Sequence, residues 1–283
     1  MSTRIIVDST VDMAERYAKK VIVVPLSLHF GEETFIDGVT IDRKRFYERL
    51  VESDVLPTTS QPSPAAFGDV FDEVTAAGDS AVVLTVSSKL SGTFQSANIA
   101  AEKYDNIFLV DTRSASIGSG ILAEYAIDCA ERGMPAKELA ACLEQKRNDV
   151  AVIALLNTLE YLKKGGRISK TVAFAGSLLG IHPVITMENG EVALVGKARG
   201  SKQGNNLLVQ KIEQSGGVDF SNPILLGYTG LDDTLLKKYV EDSKHIWEDG
   251  IGALDSVCVC SVIGTYGGPG AVIAAFFKKD SNT

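Results

Sequence analysis

The chain has 283 residues, of which 45% are hydrophobic and 23% charged, the balance of a folded soluble protein long enough for one large domain or two ordinary ones. Lys and Arg number 28 against 36 Asp and Glu, a net charge of -8, which argues against nucleic-acid binding because that affinity comes mainly from basic side chains neutralising phosphates. No apolar run approaches the roughly 18 residues of a membrane span, and the one after Met1 is too short for a signal-peptide core, so the expected compartment is the cytoplasm. Cys129, Cys142, Cys258 and Cys260 fit thiols that stay reduced there, and with no Cys or His partner at zinc spacing they read as packing residues, so no metal is expected.

Arg4–Asp8 reads as a first strand, with Ser9 or Thr10 capping a helix over Met13–Lys19, and Val21–Leu28 as the next strand. Ser63 and Pro64 cap and start a helix over Ala65–Ala76. A strand over Ala81–Val86 leads to Ser91 as the cap of a helix over Thr93–Glu102, and then come a strand at Ile107–Val110 and a helix at Gly120–Arg132. This alternation predicts an α/β domain with a largely parallel sheet over residues 1–150, and the polar strand ends Asp8-Ser9-Thr10, Thr85–Ser91 and Asp111-Thr112 face the crevice where such sheets bind ligands.

From Val150 the texture changes to an α+β pattern over 151–283, with a mixed or antiparallel sheet. A strand at Ala151–Leu155 precedes helices at Thr158–Lys164, stopped by Gly165-Gly166, and at Thr171–Leu178. Strands His182–Met187 and Glu191–Ala198 flank Asn189-Gly190, a strong hairpin signal. A helix over Lys202–Gln214, a strand over Ile224–Tyr228 and a helix over Asp232–Ile246 follow. The last two strands, Ser256–Ile263 and Ala271–Phe277, are joined by the glycine-rich Gly264–Gly270, and Cys258 and Cys260 would share one face of the first.

Signatures of common enzyme classes fit poorly. Six residues separate Gly118-x-Gly120-x-x-Ala123 from Asp111, too many for a dinucleotide turn, and Gly190 to Gly196-Lys197 has the wrong spacing and Ala198 in place of the magnesium-binding hydroxyl. No Gly-x-Ser-x-Gly elbow is present, and His29 and His182 belong to no triad motif. What stands out instead are three polar stretches, Thr58–Ser63, Ser87–Thr93 and Lys163–Ser169, which gather hydroxyls, turn glycines and Arg167. Ser91-Gly92-Thr93 can simply start a helix, or can offer hydroxyls and free N–H groups to a carboxylate or phosphate. Arg167 and Arg199 each read equally as surface cations or as partners of an anion.

Taken in order, Val7-Asp8-Ser9-Thr10 with Asp12, Val24-Pro25-Leu26, Thr59-Ser60-Gln61-Pro62, Leu90-Ser91-Gly92-Thr93 with Gln95-Ser96-Ala97, Gly165-Gly166-Arg167-Ile168-Ser169, Lys197-x-Arg199-Gly200 and Gly268-Pro269-Gly270-Ala271 resemble the DegV family of bacterial fatty-acid-binding proteins, which includes the acyl-carrying subunits of fatty-acid kinase. The resemblance runs from about Arg4 to Phe277. It implies a two-domain DegV-like α/β fold that holds one long-chain fatty acid between its domains, with no cofactor and no catalytic residue of its own. On the family's pattern Thr59, Ser91, Gly92, Thr93 and Tyr266 would hold the carboxylate, and Arg167 and Arg199 would meet the kinase partner or a nascent phosphate. The acyl tunnel would lie in the second domain, with Phe174, Leu178, Leu179 and Ile181 as its candidates. Many members carry His where this chain has Tyr266, which keeps a hydrogen-bond donor and loses a group that titrates near pH 7. The implied partners are the fatty acid and a separate ATP-dependent kinase that makes an acyl phosphate for phospholipid synthesis, with at most transient membrane contact. Two alternatives stand beside this: a lipid-responsive regulator, and a stand-alone phosphoryl- or acyl-transfer enzyme using Asp8 or Asp111.

Overall fold

The computed structural model describes residues 2–168, 180–248, 250 and 254–279, within which the strands form three sheets. The first is parallel, in the order β2 (Val21–Val24), β1 (Thr3–Asp8), β6 (Ser80–Thr85), β7 (Ile107–Asp111). Its strands are apolar on both faces, as parallel strands covered by helices must be. Ile6, Ala81 and Val83 pack with Phe67 and Phe71 of α3 (Pro64–Ala76) and Ala97 of α4 (Thr93–Ala101). Ile5, Val7, Val82 and Leu84 face the other way, toward α5 (Ile117–Glu131) and α6 (Ala136–Lys146).

The second sheet is mixed, in the order β10 (Glu191–Arg199), β9 (Ile181–Glu188), β8 (Val150–Leu155), β13 (Val272–Phe277), β11 (Leu225–Tyr228), β12 (Asp255–Cys258), with only β11 and β12 parallel. One face, carrying Ile153, Leu155 and Phe276, closes against α8 (Ser201–Gln214), α9 (Thr234–Asp242) and α10 (Lys244–Trp247) through Leu208, Tyr239 and Trp247. The opposite face meets α5, which packs on both large sheets and is accordingly buried nearly all round its first two turns. The glycines of that helix serve close packing: a Cβ on Gly120 would sit 1.7 Å from the Asp12 carbonyl oxygen, and one on Gly118 2.1 Å from Val152 Cγ2. They form no nucleotide turn.

The third sheet, β4 (Glu33–Ile36), β3 (Ser27–Phe30), β5 (Thr58–Ser60), is antiparallel and packs with α2 (Arg43–Glu52) and α11 (Ser261–Gly267) around Leu28, Phe46, Tyr47 and Val262. The sequence pattern assigns nothing to β4, β5, α2 or α6. Val21–Leu28 is two strands in two sheets, because Pro25 cannot donate to a ladder and ends the first. α1 (Glu15–Ala18) is shorter than expected, with Ala14 rather than Ser9 or Thr10 at its N-cap; Ser9 Oγ instead accepts from Leu26 N, and Thr10 bonds to Asp8. The Asp232–Ile246 helix breaks at the buried Ser243, whose hydroxyl donates to Tyr239 O and accepts from Trp247 Nε1. Ser256–Ile263 is a strand only to Cys258; Cys260 N donates to the Asp12 carboxylate and begins α11, so the two cysteines do not share a strand face. The helix expected at Thr171–Leu178 lies outside the described residues.

Candidate functional site

The strand ends of the parallel sheet are shaped by two carboxylates. Asp8, fully buried, accepts from Thr10 N, from Thr10 Oγ1 and from Val86 N at 2.7 Å, which locks the loop after β1 to the end of β6. Burial raises its pKa against those bonds. Asp111 accepts from Ser88 N and Oγ and from Arg113 N. Both are occupied in holding loops.

Those loops bring two of the polar sequence stretches together. Gln61, just past β5, donates through Nε2 to Gly92 O at 3.2 Å and Ser96 Oγ at 2.9 Å. It lies so close over Gly92 that a Cβ there would stand 2.3 Å from Gln61 Oε1. Gly92, rather than Ser91, takes the N-cap position of α4, and Ser91 Oγ accepts from Thr93 N and shares a 2.9 Å hydrogen bond with Thr93 Oγ1.

The third stretch joins from the other side. α7 (Glu160–Lys164) stops at Gly165, and Gly166 takes a left-handed φ of 72° that turns the chain back over the helix end. Arg167 is thereby pinned, with Nη1 on Gly165 O at 2.6 Å, Nε on Leu90 O at 3.4 Å and its guanidinium 4.6 Å from the centre of the Tyr266 ring, in cation–π range. Tyr266, on α11, directs its hydroxyl to Thr59 Oγ1 at 2.6 Å. The absence of a side chain on Gly165 is required by this packing, since a Cβ there would lie 2.4 Å from the Tyr266 ring.

Thr59, Ser91, Arg167 and Tyr266 gather at one end of a mainly apolar cavity, whose lining also includes Thr10, Ser116, Thr186 and Thr229. Its free volume is about 120 Å³, against the roughly 10–15 Å³ that suffices for one water. The apolar wall is the inner face of the mixed sheet, Val152 and Ala154 of β8, Ile185 and Met187 of β9, and Ile273 of β13. The register orders it: Leu155 pairs with Val184 and Val272, and Ile153 with Thr186 and Ala274, so Leu156 and Ala271 stand at the Tyr266 end and Val152 farther along the strand.

The expected site residues divide accordingly. Thr59, Ser91, Arg167 and Tyr266 converge. Gly92 and Thr93 do not line the cavity; Gly92 makes room for Gln61, and Thr93 supports Ser91 from a buried position. Arg199 is exposed at the end of β10, its N–H bonded to Gln203, and is not among the lining residues. Ile181 lines a separate small pocket with Leu159 and Pro183. Phe174, Leu178 and Leu179 lie outside the described residues. The wall residues escaped the sequence reading because β8 is apolar on both faces, and periodicity cannot then tell a cavity face from a packed one.

Among the described residues, no cluster of three or more His, Cys, Asp or Glu is placed to hold a metal ion, and no helix is long and apolar enough to cross a membrane.

Comparison with known proteins agrees over nearly the whole chain. A DegV domain-containing protein of Caldanaerobacter subterraneus is 31% identical, over 97% of this chain and 98% of its own length. The structure of a DegV family protein from Thermus thermophilus, described for its fatty-acid binding, superposes with a TM-score of 0.86 at 31% identity, covering 98% of this chain and 100% of that one. A stearic acid-binding protein from Eubacterium ventriosum gives 0.84 at 28% identity, covering 98% of each. The profile of the DegV family, described as uncharacterised proteins, matches residues 2–279, and the chain belongs to that family.

Proposed function

We propose that this protein binds one long-chain fatty acid, its tail along the inner face of the mixed sheet and its carboxylate at Thr59 and Ser91, with Tyr266 bonded behind Thr59. The observation that carries the reading is the single cavity wall, apolar along β8, β9 and β13 and ending in two hydroxyls that are themselves hydrogen-bonded from behind. With Tyr266 OH donating to Thr59 Oγ1, and Thr93 Oγ1 to Ser91 Oγ, both Thr59 and Ser91 keep a hydroxyl hydrogen to give to a carboxylate, which a buried anion requires. Arg167 adds a positive charge beside them. A chain of roughly sixteen carbons at about 0.8 kcal/mol per methylene gives on the order of 12 kcal/mol before the costs of binding, so the wall can supply the affinity and the polar end the orientation. The fatty-acid binding described for the related structures supports the same ligand.

The protein acts, on this reading, as a cytoplasmic carrier with no chemistry of its own. The first 150 residues provide the carboxylate loops and the remainder the acyl wall, and the carboxylate is presented to a separate ATP-dependent kinase that forms an acyl phosphate for phospholipid synthesis. Arg167, at the polar end, is the candidate for the nascent phosphate. Mass spectrometry before and after denaturing extraction tests the carrier: near one fatty acid per chain is expected, and a protein that is empty and takes up no added hexadecanoate overturns it. Mixing the loaded protein with a fatty-acid kinase and ATP tests the second step. Acyl phosphate should appear only with both proteins; product from this chain and ATP alone would make it an enzyme.

A further inference from the structure

Asp12 stands behind the cavity wall and does not line it. Fully buried, its carboxylate collects hydrogen bonds from three helix starts: Cys260 N at the N-cap of α11 (2.9 Å), Ser116 Oγ at the N-cap of α5 (2.8 Å) and Arg43 Nη2 at the first residue of α2 (3.0 Å). Two of these elements build the cavity, for Ser116 lines it and α11 supplies Val262, Ile263, Tyr266 and Gly267. A carboxylate is costly to bury, and hydrocarbon of similar volume often serves stability as well. Its value here is therefore geometric. An anion alone accepts from an amide, a hydroxyl and a guanidinium at once.

We propose that Asp12 is a positioning residue for the carboxylate end of the cavity, fixing the start of α11, and through it Tyr266, against Ser116 and Thr59. The inference rests on the acyl-carrier reading. The charged and titratable groups around Asp12 are Arg43 and Tyr47 of α2, Asp37 ahead of that helix, the thiols of Cys258 and Cys260 at the β12–α11 junction, and Glu124 of α5, which accepts from Ala14 N. Burial pushes Asp12 up to about 6, opposed by the Arg43 charge and the Ser116 and Cys260 bonds, and burial also raises both thiols, so they stay neutral. Protonating Asp12 removes a buried charge, which favours the folded state, and at the same time weakens its hold on Arg43 and α11. Stability and ligand affinity therefore respond to this one proton in opposite directions.

The test is the affinity of the intact protein for hexadecanoate from about pH 5 to about pH 8, for wild type and Asp12→Asn, with denaturant stability measured alongside. Titration of the ligand and of Glu124 is common to both proteins, so the ratio of affinities isolates Asp12. Near pH 7.5 wild type should bind roughly five- to tenfold more tightly, the lower range of coupling between sites, and the ratio should shrink toward one below about pH 6 while wild-type stability rises. A ratio that does not change with pH, or affinity and stability that fall together, overturns the positioning role. If Asp12→Asn does not fold, Arg43→Gln at the exposed end of the same pair should weaken binding at neutral pH, and unchanged affinity would sink the idea. Wild type that binds no hexadecanoate at any pH overturns the carrier reading itself, a separate result.

Discussion

The parallel and mixed sheets bury their strands in contrasting ways. β1 and β6 are closed on both faces by packed side chains, so that sheet contributes to the site only through the loops at its strand ends. The mixed sheet is closed on one face by α8, α9 and α10, while its other face carries the cavity wall as well as the contact with α5. Polar groups and apolar wall are thus separated: Ser91 on a loop, Thr59 on the short strand β5 and Tyr266 on α11 at one end, and an apolar wall on the mixed sheet. The division shows why one cavity lining draws on distant parts of the chain.

The sharpest way to probe the contrast is to truncate opposite faces of one strand. Phe276 of β13 is fully buried among the covering helices, and Ile273 of the same strand faces the cavity. Phe276→Ala should cost about 3–5 kcal/mol of stability by denaturant unfolding, the usual range for a large buried aromatic. Ile273→Ala should cost about 2 kcal/mol or less, because part of its surroundings is already empty, and it should shift the co-purifying acyl chains toward bulkier or longer ones. Equal stability losses would mean that the inner face is packed as tightly as the outer.

Glu124 tests the helix between the sheets. Its Oε1 accepts from Ala14 N at 2.8 Å, its other oxygen has no partner, and burial pushes its pKa up to about 7, against the Ala14 bond and the Arg16 charge. The folded protein therefore holds this proton at a pH where the unfolded chain has lost it. Stability is fullest below the ordinary value of 4.5 and declines as pH rises to about 7. Asp12 adds a decline of the same sign up to about pH 6. Glu124→Gln should flatten the upper part of that decline, by about 2–3 kcal/mol between the ends of the window. An unaltered slope would show that Glu124 stays ionised in the fold.

The polar end gives a smaller effect, confined to binding. Thr59→Val keeps shape and removes the hydroxyl bonded to Tyr266, and Ser91→Ala removes the one supported by Thr93. Each should weaken hexadecanoate by about ten- to a hundredfold, as expected for a hydrogen bond to a charged group worth about 1.5–3 kcal/mol, with little change in unfolding. If Tyr266 alone carried the carboxylate, Tyr266→Phe would be severe and Ser91→Ala silent.

The same division governs what could be read from the sequence. The Leu90–Thr93 and Gly165–Arg167 stretches are local patterns that formed a helix start and a helix end, though Gly92 rather than Ser91 took the cap, while Thr59 and Ser60 became the edge strand β5; that the three stretches converge followed from the family resemblance rather than from spacing. The parallel sheet and the Asn189-Gly190 hairpin were legible because their signals lie within a few residues of each other. The cavity wall was not, since Ala154 and Ile153 look alike until the fold decides which faces α5. Helix α11 was hidden for a related reason. Ser256–Ile263 is an ordinary strand sequence, and what turns it at Cys260 is Asp12, 248 residues away.

The smallest expected effect lies where the two sheets touch through loops. Asn189 and Gly190 both take left-handed backbone at the tip of the β9–β10 hairpin, and the buried Ser87 at the end of β6 donates to Gly190 O at 2.7 Å. The fit is close, for a Cβ on Gly190 would stand 2.6 Å from Ser87 Oγ. Ser87→Ala leaves that carbonyl without its donor and should cost about 1 kcal/mol, a loss small enough that the sheets stay folded. Ile185 and Met187 on β9 and Val192 on β10 belong to the cavity wall, so loosening the tip should speed release of hexadecanoate more than it lowers the unfolding midpoint. Stopped-flow transfer of the ligand to an acceptor measures that rate. Release that tracks global stability in proportion would mean the hairpin opens only when the whole sheet does, and the wall would then be as rigid as the packed face behind it.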